Sequence, residues 1–212
     1  MSEPSSALSN LLVNAGVAIF GIVVAERGAG GLRKALDLAK AHLRNGADCI
    51  DLHLGALDLA SANDVAHLRE LTQELRPLAP CRVAMLGQVS DPSQWAVLDE
   101  VAMFRATSAL GEEVVVDSAT GSVIARCCLA PDKKVSDLGA RFRQLRCETS
   151  LPFHVEVPDH PGVTQGKAPL RQGVLAADVA FLITQGATLL SVPHVLSAVK
   201  ARDEMVQILH AK

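Results

Sequence analysis

The chain has no tyrosine, one tryptophan and five phenylalanines in 212 residues. A core this short of rings must be assembled from Ala, Val and Leu. With 49% hydrophobic residues and a mean hydropathy of +0.25, such a core suits a sheet buried on both faces. Charge of one sign is also scarce. The net charge is −3 and the pI is near 6.1, which predicts no polyanion-binding surface and no nucleic-acid partner. Long apolar runs are missing too: charges interrupt each one before the ~20 residues a membrane span needs. The opening MSEPSSALSN carries no basic segment, so it reads as a flexible polar start over residues 1–12 and not as a signal peptide. Five cysteines, Cys49, Cys81, Cys127, Cys128 and Cys147, show no CxxC spacing. They predict structural thiols, a reducing cytoplasm and no metal centre.

What is present is an alternation of strand and helix patterns within one domain, residues 1–212. Val17 to Val24 is a continuous apolar run and predicts a first strand. After a glycine-rich turn, Leu32, Leu36, Ala39 and Leu43 mark an amphipathic helix from Leu32 to Asn45, with Gly46 as its C′ residue. Cys49 to Leu54 predicts strand 2, and a helix capped by Ser61 or Asn63 runs to Leu75. Arg82 to Leu86 predicts strand 3, Asp91-Pro92 opens a helix containing Trp95 and Leu98, and Val101 to Phe104 predicts strand 4. The rhythm then breaks. Val114 to Asp117 and Ser122 to Leu129 are separated by a turn too short for a helical crossover, so they predict a hairpin. A helix around Val135 to Leu145, a strand at Phe153 to Val157 and an irregular loop follow. The chain closes on a helix, Gln185-Gly186-Ala187, a strand at Thr188 to Val192 and a helix at Val195 to Leu209. Repeated strand–helix units mean a parallel sheet covered by helices. An eight-stranded βα barrel typically takes ~250 residues. The predicted architecture is therefore a TIM-type (βα) barrel, shortened or irregular around strands 4 to 6.

Two regions of the sequence, Ala18 to Gly55 and Arg171 to Val206, resemble the dihydropteroate synthases and the wider pterin-binding family. One is Ala18 to Gly55, with Phe20-Gly21-Ile22, the Gly30-Gly31 pair and Gly46-Ala47-Asp48-Cys49-Ile50-Asp51. The other is Arg171 to Val206, a helix–"GA"–strand–helix unit. The resemblance implies a βα barrel and a pterin or folate ligand, with Mg²⁺ if the protein is catalytic. It implies Asp51 as the strand-2 carboxylate. Asp117 corresponds either to the aspartate of the family's "D-P-G-I-G" strand or to an ordinary hairpin aspartate. Other family positions are replaced: Leu86-Gly87-Gln88 stands for "V-D-T", Phe104-Arg105-Ala106 for "I-N-D", and Val157-Pro158-Asp159 for "S-R-K". The strand that carries Arg-x-His in the family reads Ser191-Val192-Pro193-His194 here. An Arg–phosphate fork is bidentate, and neither Ser nor Pro reproduces it.

These replacements lead to two expectations. The first is a noncatalytic pterin or folate binder, or a partner subunit of a related pterin enzyme. The second is a transferase on a pterin or one-carbon carrier whose site has moved. Its catalytic candidates are Asp51, His53 and Asp117. Its substrate-binding candidates are Gln88, Arg105, His154, Glu156, Asp159, His160, Lys167, Ser191 and His194. Asp51 and His53 alternate on one strand and so share a face; they read either as an acid–base pair or as a hydrogen-bonded interior pair. His154-x-Glu156-x-x-Asp159-His160 reads either as a new site at the barrel's mouth or as a solvated turn framed by Pro158 and Pro161. Apolar residues on the last helix, together with the shortened barrel, predict a homodimer or a heterodimer with a related barrel.

Overall fold

The computed structural model describes residues 16–55, 57–58, 60–75, 77–78, 84–85, 103–107, 113–117, 123–128, 153–157 and 168–211. Eight strands form one sheet: β1 Ala18–Val24, β2 Cys49–His53, β3 Ala84–Met85, β4 Met103–Thr107, β5 Glu113–Asp117, β6 Val123–Cys128, β7 Phe153–Glu156 and β8 Leu189–Val192. Four helices are described: α1 Ala29–Arg44, α2 Ala62–Leu75, α3 Ala168–Thr184 and α4 Val195–His210. The helices expected around Trp95 and around Val135 to Leu145 fall outside the described residues.

The strand order is β3-β2-β1-β8-β7-β6-β5-β4, the cyclic order of an eight-stranded barrel opened between β3 and β4. Those two strands pass within 8 Å of each other without forming a described ladder. The irregularity expected around strands 4 to 6 takes a specific form. β4 and β5 pair antiparallel, β5 and β6 pair antiparallel, and the pairings from β6 through β7, β8 and β1 to β2 and β3 are parallel. One strand, β5, therefore runs backwards, and the chain passes from β4 to β5 and from β5 to β6 in five residues each, fewer than a helical crossover needs. This is how a chain below the usual barrel length supplies eight strands.

The two "Gly-Ala" signals share one mechanism. Gly46 has φ 90° and Gly186 has φ 91°, the left-handed conformation that glycine adopts without a Cβ penalty. After α1, the Gly46 N–H donates to the Leu43 carbonyl and the Ala47 N–H to the His42 carbonyl. After α3, Gly186 donates to Ile183 and Ala187 to Leu182. Both are Schellman closures that satisfy the last carbonyls and aim the chain into the next strand. At the start of α2, Ser61 is the cap: its Oγ accepts from the Asp64 N–H at 3.4 Å.

The core is split by the sheet's alternation. Ile19 of β1, Phe153 and Val155 of β7 and Leu190 and Val192 of β8 pack with Leu175, Val179 and Leu182 of α3 and Ala198 of α4. Val23, Ile50 and Leu52 pack with Ala35, Ala39, Leu68, Leu71 and Leu75 of α1 and α2. Those side chains face the helical layer. Their alternate neighbours, Phe20, Asp51, His53, His154, Glu156 and Ser191, therefore share the opposite, inner face.

Candidate active site

The inner face carries buried polar groups among apolar ones such as Phe20 and Leu189, where a barrel is usually filled by branched apolar residues. Asp51 and His154 lie on it fully buried, as does Ser191. On β2, His53 Nε2 stands 3.3 Å from Asp51 Oδ1. The carboxylate is deep and the imidazole is 21% exposed, at the C-terminal end of a parallel strand, where βα barrels place their chemistry. Period-two alternation in CIDLH puts both side chains inward while Ile50 and Leu52 anchor the strand against the helices. A carboxylate behind an imidazole holds the ring and favours N–H on the nitrogen that faces it.

Deeper in, His154 Nε2 and Ser191 Oγ share a hydrogen bond of 2.8 Å, and the Phe20 ring lies against His154 with centroids 6.2 Å apart. Register puts Glu156 beside Ser191 and Ser191 beside Phe20, so these residues form neighbouring rungs of one wall. Ser191 occupies the position the family gives to arginine, and its hydroxyl is engaged by His154.

Of the other predicted positions, Asp117 separates from this cluster. Because β5 is reversed, Asp117 pairs with Met103, the first residue of β4. That is the sheet end opposite His53, so Asp117 is not brought together with Asp51 and His53. Arg105 lies on β4 in register with Val115. His194 occupies the N-cap position of α4 without a side-chain capping bond, near enough to His42 on α1 to help lower that ring's pKa. Gln88, Asp159, His160 and Lys167 lie outside the described residues. Among the described residues, no three His, Cys, Asp or Glu side chains gather in a group fit for a metal ion.

Sequence reasoning missed the residues that fix the rim. Asp64 Oδ2 accepts from Arg27 Nη2 at 2.8 Å, from Arg27 Nε at 3.2 Å and from the Asp58 N–H at 2.9 Å. The Asp58 amide, followed by the Arg27 hydrogen bond, holds the Asp64 carboxyl below its usual range. His42 was also missed. It is buried, its Nε2–H donates to the Ile22 carbonyl at 3.1 Å, and its ring fills the space a side chain at Gly21 would occupy. Burial pushes its pKa down, partly offset by the Ile22 bond, and the nearby His194 lowers it further. A glycine in the middle of an apolar strand was the available signal for such a close approach.

The fold and the inner-face site thus define a βα barrel with a polar mouth. No protein-family model matches the sequence, and no curated protein matches it either. Among solved structures the barrel is that of the dihydropteroate synthases. The enzyme from Xanthomonas albilineans is similar over 92% of this chain and 93% of its own, with TM-score 0.65 and 16% identity. The Yersinia pestis enzyme, solved with a pterine–sulfa conjugate, covers 92% and 94%, with TM-score 0.64 and 15% identity. The Clostridium difficile enzyme, solved in the presence of pteroic acid, covers 91% and 96%, with TM-score 0.64 and 13% identity. The likeness read from two ends of the sequence therefore extends, as fold, along nearly the whole chain.

Proposed function

We propose that this chain binds a pterin- or folate-type small molecule at the mouth of its barrel without performing pterin condensation. It does so alone or as the partner subunit of a related pterin enzyme. The observation that carries the reading is Asp51, a carboxylate held out of water on the inner face with His53 between it and the opening. Such a pair offers acceptors to the ring N–H groups of a flat heterocycle, and the desolvated surroundings strengthen each hydrogen bond. One Xanthomonas albilineans dihydropteroate synthase of this fold was solved with 7,8-dihydropteroate, which supports that choice of ligand class. Against synthase chemistry stand Ser191 and Pro193, which leave the departing pyrophosphate without the family's cationic grip on β8. Calorimetric titration with dihydropterin, pteroate and tetrahydrofolate tests the ligand; no heat at millimolar ligand removes it.

The second reading is a transferase on a pterin or one-carbon carrier with a relocated site. The 3.3 Å approach of His53 to Asp51 favours it, because that is the geometry of a general acid–base pair. The test is incubation with a pterin methyl pyrophosphate, p-aminobenzoate and Mg²⁺. No dihydropteroate is the result expected of a binder, and its formation would transfer the conclusion to the enzyme.

The partner half of the proposal has a surface. A groove of about 500 Å³ runs between α3 and α4, bordered by Ala176, Ala180, Lys200, Met205 and Ile208. Leu196, Ile208 and Leu209 of α4 and Leu170 of α3 are exposed on the same two helices. More apolar surface lies on α4 than one core-facing stripe requires. A second barrel, of this chain or of a related one, is the proposed occupant.

A further inference from the structure

Three elements converge at the rim beside His53. The β1–α1 loop leaves β1 at Val24, which is in register with His53, and the Ala25 N–H donates to the His53 carbonyl at 2.7 Å. The loop then folds over the start of α1, so closely that a Cβ on Gly31 would meet the Glu26 carbonyl oxygen at 2.5 Å. Two bonds tie it to α2: the Arg27 guanidinium to Asp64 at 2.8 Å, and the His67 Nε2–H to the Glu26 carbonyl at 3.2 Å. The same Asp64 oxygen accepts the N–H of Asp58 in the β2–α2 connection. One carboxylate oxygen therefore joins the two loops that flank the mouth.

We infer that Arg27 and Asp64 are positioning residues that fasten the β1–α1 loop to the β2–α2 loop, giving His53 a fixed rim that controls access to it. The chemistry is suited to this. Asp64 is largely enclosed while Arg27 is 60% exposed, so the buried partner is held by the Asp58 amide and the exposed one can be released locally. The inference rests on the proposed role of the mouth only in saying what the rim controls. Its test uses no ligand, so the rim and the ligand reading fail separately.

Hydrogen exchange and diethyl pyrocarbonate modification of His53, both read by mass spectrometry, provide that test on the full chain. In Arg27→Gln, exchange of the amides from Ala25 to Gly31 should rise about fivefold, the worth of a partly exposed ion pair. His53 should be modified correspondingly faster, while amides of β8 remain unchanged. In Asp64→Ala, the Asp58 amide should also lose protection, and Arg27→Lys should recover much of the wild-type behaviour. Wild-type exchange and His53 reactivity in Arg27→Gln would overturn the inference. Equal acceleration in β8 would also overturn it, because the pair would then be a general stability contact.

Discussion

Arg202 of α4 reaches Asp48, 154 residues earlier in the chain, with Nη1 2.6 Å from Oδ2. That same oxygen accepts the N–H of Ile19 on β1 at 2.8 Å. The aspartate of the "G-A-D" signature is thus a clip and not a ligand group: it ties the last helix to the first strand and so holds the ends of the barrel together. Asp48→Ala should cost about 2–3 kcal/mol, since it strands both a backbone donor and a guanidinium. Arg202→Ala, which leaves Ile19 satisfied, should cost about 1 kcal/mol less. Urea denaturation of the two variants measures the difference, and equal losses would contradict the clip.

Gly21 and His42 form a second close contact. A Cβ on Gly21 would lie 2.5 Å from His42 Cγ, so Gly21→Ala should destabilise by about 1–3 kcal/mol through overpacking. Adding His42→Ala should make the Gly21→Ala step less costly. Strict additivity in the double-mutant cycle would show that the two positions are uncoupled.

His42 also sets a pH dependence. Its folded-state pKa is lowered from 6.5 by burial first and by His194 in addition. Below about pH 6.5 the unfolded chain therefore binds the proton more readily than the folded one. The stability that His42 contributes is complete above that pH and declines as pH falls toward the folded-state value. Thermal denaturation between pH 8 and pH 5 should show this decline, and His42→Gln should flatten it. An unchanged slope in that variant would assign the dependence elsewhere.

Much of this was legible in the sequence, for physical reasons. VAIFGIVV and CIDLH are buried on both faces or strictly alternating, and each "Gly-Ala" closes a helix through backbone geometry that glycine alone permits cheaply. Those local rules carried β1, β2, β8 and the barrel class. The pairing of Asp51 with His53 followed from the two-residue period of a strand. The hairpin of β5 and β6 was legible as well, but not that β5 is its reversed strand and also pairs antiparallel with β4, because a hairpin signal says nothing about which end of a barrel its residues occupy. Asp117 accordingly lies at the end opposite His53. The rim was illegible for another reason: Arg27 and Asp64 are 37 residues apart, and no periodicity links a charge on a loop to one in the first turn of a different helix.

Assembly follows from α4. The protein should scatter light as a particle of twice the 22.3 kDa chain mass, and Ile208→Glu should halve it by placing a charge in the apolar contact. A monodisperse 22.3 kDa particle at micromolar concentration would contradict the homodimer.

The central claim is that the Asp51–His53 mouth binds a pterin-type heterocycle, and calorimetric titration of pteroate into the wild type and Asp51→Asn compares the two directly. The account predicts saturable binding to the wild type, weakened about tenfold or more in Asp51→Asn through loss of a charge-assisted acceptor, with the thermal midpoint retained. Binding of equal strength to both proteins, or none to the wild type at millimolar pteroate, would contradict it.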